Sequence, residues 1–227
     1  MEPSSFLVHL LLVVSLVMPR GTGRIAAPGA PPDLEHSAVT DDLFSQIYKR
    51  GIVKQRSLRS IRARFTETTV SSLLVKPIIA HGTVVAATPA RVRMTYTDPE
   101  PKTIAMDGQS LTVLWPDRGE RERIDTTAIQ KRIDQYFTHA SIDDLRGMFE
   151  VAAEPDHAIV HADHVDMKPK RKQIKQGLER LELWIDRDSE MLVQMRLTFP
   201  GGDQKTIALE DIAINVPIAD DTFRIPP

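Results

Sequence analysis

Residues 82–115, GTVVAATPARVRMTYTDPEPKTIAMDGQSLTVLW, decide the fold of this chain. Gly82 to Ala87 reads as a strand, and Pro89 breaks it. Val92, Met94 and Tyr96 then alternate with Arg91, Arg93 and Thr95, the period of two expected of a half-buried strand. Asp98 to Pro101 (DPEP) is a turn, and Thr103 to Met106 is a further strand. Asp107-Gly108 is the strongest two-residue hairpin signal in the chain. Beyond it Leu111, Val113 and Trp115 recur on alternate positions. Strands joined by turns this short pair antiparallel.

The same alternation extends in both directions. Upstream, Ile61-Arg-Ala63-Arg-Phe65-Thr is a strand. Before it, Leu43, Phe44, Ile47 and Tyr48 recur at helical spacing behind a cap at Thr40 or Asp41. Downstream, Pro116 to Gly119 is a turn. Between Asp125 and Phe149 the apolar positions (Ile129, Ile133, Phe137, Leu145, Met148, Phe149) fall at helical intervals, and Ser141 and Asp144 have capping-box spacing. Two short helices are expected there. Val160 to Met167, Leu181 to Ile185, Leu192 to Phe199 and Thr206 to Ile214 complete the strands, with a hairpin turn at Gly201-Gly202-Asp203. About ten strands at this spacing predict a mainly β fold, one strongly curved antiparallel sheet or barrel with short helices.

A curved sheet has a concave face that side chains, helices or a ligand must fill. The residues expected there are Phe65, Val84, Val92, Met94, Tyr96, Ile104, Met106, Leu111, Val113, Trp115, Leu183, Met195 and Leu197. Ordinary core packing explains each one singly. The methionines among them suit an apolar surface that adapts to variable ligands.

The 227 residues are 41% hydrophobic and 26% charged, with a net charge of −2 and no cysteine. That composition excludes wholesale disorder and a dedicated nucleic-acid binder, which would carry a strong basic excess. It also excludes disulfides, thiolate catalysis, Fe–S clusters and Cys-ligated zinc. Phe6 to Met18 (FLVHLLLVVSLVM) is a thirteen-residue apolar run. As a helix it spans only about 20 Å, against roughly 30 Å of hydrocarbon, so a signal-peptide core is favoured over a membrane span. The MEPSS start lacks the usual Lys or Arg. The expected organisation is a signal peptide over 1–25, a flexible linker over 26–39 opening with AAPGAPP, and one domain over 40–227. Export of a chain without cysteine points to a bacterial envelope protein that reaches stability through its core alone.

Catalytic constellations do not emerge. His157, His161 and His164 (HAIVHADH) would share a helix face, but the β-branched context reads as a strand. There His157 and His161 would stand about 13 Å apart, with His164 on the opposite face and all three solvated. Gly108-Gln-Ser110-Leu-Thr112 lacks the second glycine of a nucleophile elbow. Acidic pairs such as Asp98 with Glu100 and Asp220 with Asp221 fall in turns. No phosphate-binding loop or dinucleotide fingerprint is present. Lys168 to Lys175 (KPKRKQIK) holds five basic residues, either a solvated loop or a contact for anionic phospholipid head groups or an acidic partner.

The order of these segments resembles the periplasmic outer-membrane lipoprotein carrier (LolA) family. Ile61-Arg-Ala63-Arg-Phe65-Thr is similar to its first strand. Gly82-Thr-Val-Val, Pro89, Tyr96-x-x-Pro99 and Asp107-Gly108-x-x-Leu111 follow its central run, and Asn215-Val-Pro-Ile218, Phe223 and Pro226 its ending. The resemblance implies an unclosed barrel with helices as a lid, to which Leu145, Met148 and Phe149 would contribute. It implies a monomer that holds acyl chains of a lipoprotein or related envelope lipid. Cargo would pass from an inner-membrane ABC transporter to an outer-membrane receptor, with no reaction, cofactor, metal or nucleic acid involved. The alternative is a sensor or interaction module of the same fold that signals to a partner. The family's lid-pairing arginine is replaced here by Thr88, leaving Arg91 or Arg93 as substitutes.

Overall fold

The computed structural model of the chain describes residues 42–88, 91–107, 110–127 and 141–225. Eleven strands form one antiparallel sheet: β1 (Ser60–Val70), β2 (Ile78–Ala87), β3 (Arg91–Asp98), β4 (Lys102–Met106), β5 (Ser110–Trp115), β6 (Glu120–Asp125), β7 (Phe149–Pro155), β8 (Ala162–Pro169), β9 (Arg180–Asp186), β10 (Leu192–Thr198) and β11 (Gln204–Ile214). Their order, β6-β5-β4-β3-β2-β1-β11-β10-β9-β8-β7, reduces to two meanders. β1–β6 and β7–β11 each run strand to neighbouring strand, and a single long-range pairing of β1 with β11 joins them. β6 and β7 are the two edges, so the sheet is an open curved barrel.

Among the described residues three short α-helices accompany it: α1 (Leu43–Ser57), α2 (Ile142–Met148) and α3 (Lys172–Lys175). The Asp42 side chain caps α1, accepting from the Ser45 N–H at 2.9 Å. Thr40 and Asp41, expected as caps, lie outside the described residues. The Ser141/Asp144 capping box is formed as expected, with both reciprocal bonds present. Of the two helices expected over 125–149, α2 is one; Ile129, Ile133 and Phe137 lie outside the described residues.

Two strands differ from the sequence reading. β6 (ERERID) offers only Ile124 as an apolar side chain, because an edge strand exposes one rim and tolerates charge. β7 begins at Phe149, which continues a strand rather than ending a helix; Phe149, Val151 and Ala153 take alternate positions. The expected strand over the histidines is also shorter. Asp156 to His161 is a connection in which Asp156 Oδ1 accepts from the Ala158 and Ile159 N–H groups, and His161 has φ +65°. β8 starts only at Ala162.

Several residues of the recognised segments have local structural reasons. Gly82 faces Phe65 across β1 and β2; a Cβ there would lie 2.2 Å from the Thr95 carbonyl oxygen and 2.7 Å from the Phe65 ring. Asn215, with φ +55°, ties the end of β11 to the α1–β1 junction. Its Oδ1 accepts from the Arg59 N–H at 2.8 Å, and its Nδ2 donates to the Ser57 carbonyl at 3.1 Å. Gly201 and Gly202, both at positive φ, make the β10–β11 turn.

Candidate functional site: the apolar inner face

Alternate residues of every strand from β1 to β5 and β7 to β11 supply one contiguous apolar cluster on the inner face. Phe65, Val84, Val92, Met94, Tyr96, Ile104, Met106, Leu111, Val113, Met148, Phe149, Leu183, Met195 and Leu197 are all buried in it. Trp115 and Leu145 pack against its margin half-buried. The structure therefore brings together every inward residue read from the sequence. It adds Phe44 and Ile47 of α1, Ile61 and Ala63 of β1, Val165 and Met167 of β8, Leu181 of β9, Met191 and Ile207. All six methionines among the described residues (Met94, Met106, Met148, Met167, Met191, Met195) lie in this cluster. An unbranched thioether side chain repacks around irregular shapes more readily than a branched one. Phe65 and Tyr96 meet edge to face at 4.9 Å, over the space that Gly82 leaves open.

One end of this face is polar. Glu67 follows Ile61, Ala63 and Phe65 on the inward parity of β1, yet it is a carboxylate and buried. It accepts from the Tyr96 hydroxyl at 2.8 Å and from Lys205 Nζ at 2.9 Å. Burial, and then the neighbouring Glu67 charge, push the Tyr96 phenol far above its ordinary range, so it stays a neutral donor. Lys102 Nζ sits 4.3 Å from the Tyr96 ring centre. Its own burial holds that ammonium below the usual lysine range, against the Glu67 charge, which favours the proton. Sequence reasoning passed over this cluster. The signal available was a glutamate in register with three apolar inward positions.

The helices line the inner side of the second meander. α1 and α2 both pack against β7. Arg146 of α2 joins them: it pairs with Asp42, donates to Ser45 Oγ at 3.3 Å and lies over the Phe44 ring. Midway along α1, Arg50 reaches the buried Asp163 of β8 at 3.2 Å, which Arg187 also holds at 2.8 Å. Arg91 and Arg93 meet the closing segment rather than α1 or α2. Both project from the outer face of β3, where Arg91 covers the Phe223 ring and Arg93 donates to the Thr222 carbonyl at 2.9 Å. Thr88 bonds the Arg59 carbonyl through its N–H at 3.0 Å. The helix-to-helix link in the described structure belongs to Arg146.

The histidines are dispersed. His157 and His161 occupy the β7–β8 connection, while His164 lies on the outer face of β8. His164 is not solvated as expected: it is largely buried, stacks on Trp184 at 4.6 Å and lies 3.3 Å from Glu182.

The profile of the family described as "Outer membrane lipoprotein carrier protein LolA" matches residues 56–226. No curated sequence matches the chain significantly. Among solved structures, an uncharacterized conserved protein of Thermus thermophilus is similar with a TM-score of 0.53 and 9% identity, covering 82% of this chain and 95% of its own. Lipoprotein LppX of Mycobacterium tuberculosis is similar with a TM-score of 0.50 and 13% identity, covering 77% and 96%. A LolA superfamily protein of Nitrosomonas europaea aligns over 83% and 99% at 12% identity with a TM-score of 0.40. At these identities the first two speak to fold only. The profile spans most of the chain and runs from the end of α1 to the closing segment, so this protein belongs to the LolA family.

Proposed function

We propose that this chain is an envelope carrier whose inner face receives the acyl chains of a lipoprotein, or of a related lipid, and shields them from water. The observation that carries this reading is a single apolar inner face, holding every described methionine, inside a sheet left open between β6 and β7. An exposed acyl chain costs roughly 0.8 kcal/mol per CH₂, so a lipid crossing an aqueous compartment needs such a container. The residues assigned to cargo contact are Phe65, Val84, Val92, Met94, Tyr96, Ile104, Met106, Leu111, Val113, Trp115, Leu145, Met148, Phe149, Leu183 and Met195. They are packed together here, so cargo enters by repacking them, which the methionines favour. Leu145, Met148 and the start of β7 serve as part of the lid. The remaining proposals are a cleaved signal peptide over 1–25, a linker over 26–39, a periplasmic location, a monomeric state, and transfer from an inner-membrane ABC transporter to an outer-membrane receptor. Transfer of this kind needs no chemical reaction.

Native mass spectrometry of the protein purified from its envelope, followed by lipid extraction, tests this reading. A bound acylated species at defined stoichiometry is expected, and its mass separates a lipoprotein from a free lipid. Empty protein that also fails to take up a fluorescent fatty acid would establish a solid interior and end the carrier assignment.

A further inference from the structure

The clearest apolar surface among the described residues lies outside the inner face. Five of the ten residues from Val70 to Ile79 are large exposed hydrophobics: Val70, Leu73, Val75, Ile78 and Ile79. Leu73 is 90% exposed, and Val75 is wholly so. Scattered exposed leucines are ordinary, but five exposed large hydrophobics gathered in one hairpin are not. The tip is held in shape rather than splayed. The Leu74 N–H donates to the Ser71 carbonyl at 3.1 Å, and Leu73 N–H to Ser71 Oγ at 3.3 Å. The Ser72 N–H reaches Asp203 Oδ1 at 3.4 Å, which braces the tip against the β10–β11 turn.

The strand registers put a second feature at the same end of the barrel. Val70 pairs with Gln204, Gln204 with Thr198, and Thr198 with Arg180, so the β1–β2, β10–β11 and β8–β9 connections share one rim. The β8–β9 connection carries Lys170, Arg171, Lys172 and Lys175, all exposed, next to Lys168 at the end of β8. Lys76 adds a sixth cation within the apolar tip itself. The opposing charges along this stretch include Asp166, which pairs with Lys168 at 3.7 Å, Glu150, opposite Lys168 across β7 and β8, Asp143 and Asp144, the latter near Arg171, Glu179 and Asp203. Further round the rim, Asp98 and Glu100 of the β3–β4 connection face His81 and Arg118 respectively. The excess of basic charge on this rim lies at the β8–β9 connection, with Lys76 in the tip itself.

We propose that this rim docks on an anionic lipid bilayer, with the Leu73–Val75 tip entering the interface and the Lys168–Lys175 segment lying over the head groups. Apolar insertion and basic attraction are the two contributions that together hold a peripheral protein at a membrane surface. Each lysine or arginine near an anionic surface adds about 1 kcal/mol, enough for the segment to orient the tip before it inserts. The charge complementarity favours a bilayer over an apolar protein groove. The inference goes beyond the carrier reading and does not depend on the interior holding cargo.

The test is flotation with vesicles of phosphatidylcholine alone or mixed with phosphatidylglycerol, comparing the full chain with its Leu73→Asp/Val75→Asp variant. Both carry the same N-terminus, so any difference belongs to the hairpin. The replaced side chains are exposed, so circular dichroism and thermal unfolding should be unchanged. Binding to the anionic vesicles is expected to fall at least about tenfold in the variant, a loss equivalent to 1.4 kcal/mol or more. A Lys172→Glu/Lys175→Glu variant should lose the preference for anionic lipid, and added salt should weaken the wild type in the same direction. Fatty-acid uptake, measured in parallel, should be the same in all three proteins, which separates docking from cargo binding. Wild type that ignores vesicles, or binds them no better than the hairpin variant, would overturn the proposal and leave the tip to a protein partner.

Discussion

The two meanders are covered on opposite sides. In β1–β6 the outer face is covered in part: the closing segment lies against it, with Phe223 under Arg91, Thr222 bonded to Arg93, and Ile225 bonded to Arg121 of β6, while Arg62, Arg64, His81 and Thr83 of β1 and β2 stay exposed. Ala105, Thr103, Thr112 and Ser110 of β4 and β5 are buried although they point away from the core. In β7–β11 the helices cover the inner face, and the outer face stabilises itself. There Glu182 is buried among Arg180, Arg196 and His164, while Trp184 stacks on His164 and donates from Nε1 to Asp156 at 2.8 Å. The buried outward positions of β4 and β5 are small and neutral. An uncovered outer face buries its polar groups against one another.

The largest effect should come from the seam between the two regions. Glu67 of β1 and Lys205 of β11 form a buried pair across it. Glu67→Gln leaves a buried ammonium without its counter-charge, and urea denaturation should show a loss of about 4 kcal/mol. An unchanged midpoint would mean that water or Tyr96 compensates, and that the seam is held by its backbone ladder alone.

Next come paired aromatic truncations, which test whether each outer face is stabilised separately. Phe223→Ala and Trp184→Ala should each cost about 3 kcal/mol. Amide hydrogen exchange should then separate them. The first should accelerate exchange in β3 to β5, and the second in β8 to β10. Matching patterns from both would show that the meanders unfold as one unit and that the contrast is only descriptive.

The smallest effect concerns the helices that line the second meander. Hydrogen bonds to the Ser45 N–H and to Ser141 hold the Asp42 and Asp144 carboxyls below their ordinary value of 3.8. A depressed folded-state value means that their contribution is present above pH 3.8 and is lost as pH falls below it. Thermal unfolding should therefore be level with respect to these caps at neutral pH and decline below about pH 4. Asp42→Asn with Asp144→Asn should flatten that decline.

The same contrast explains what could be read from the sequence. The first meander is punctuated by DPEP, Asp107-Gly108 and Pro116 to Gly119, and its strands alternate cleanly, so β1 to β5 and their inward residues were legible. β6 was not, because an edge strand of alternating charges has no apolar period. In the second meander Phe149 follows a helix directly, so its apolar side chain counted towards the helical pattern and β7 was lost. Glu67 and Lys205 were invisible for a related reason: each is polar at an inward position, and only the pairing of β1 with β11 shows that they meet. The tip around Leu73 falls between the two strand segments legible in the sequence, and the registers place it beyond the end of the sheet.

The closing of β1 on β11 has a consequence in time. Every other pairing in the sheet joins neighbours in sequence, so each meander can assemble through successive hairpins. The seam instead pairs Val70 with Gln204 and Ile61 with Ile214, partners separated by most of the domain. Bringing such distant segments together costs chain entropy before any contact compensates it. The last strand must therefore be available before the first finds its second neighbour. Until then β1 is an unpaired edge flanked by apolar side chains, and the interval before the seam forms is the one in which the chain is most open to aggregation.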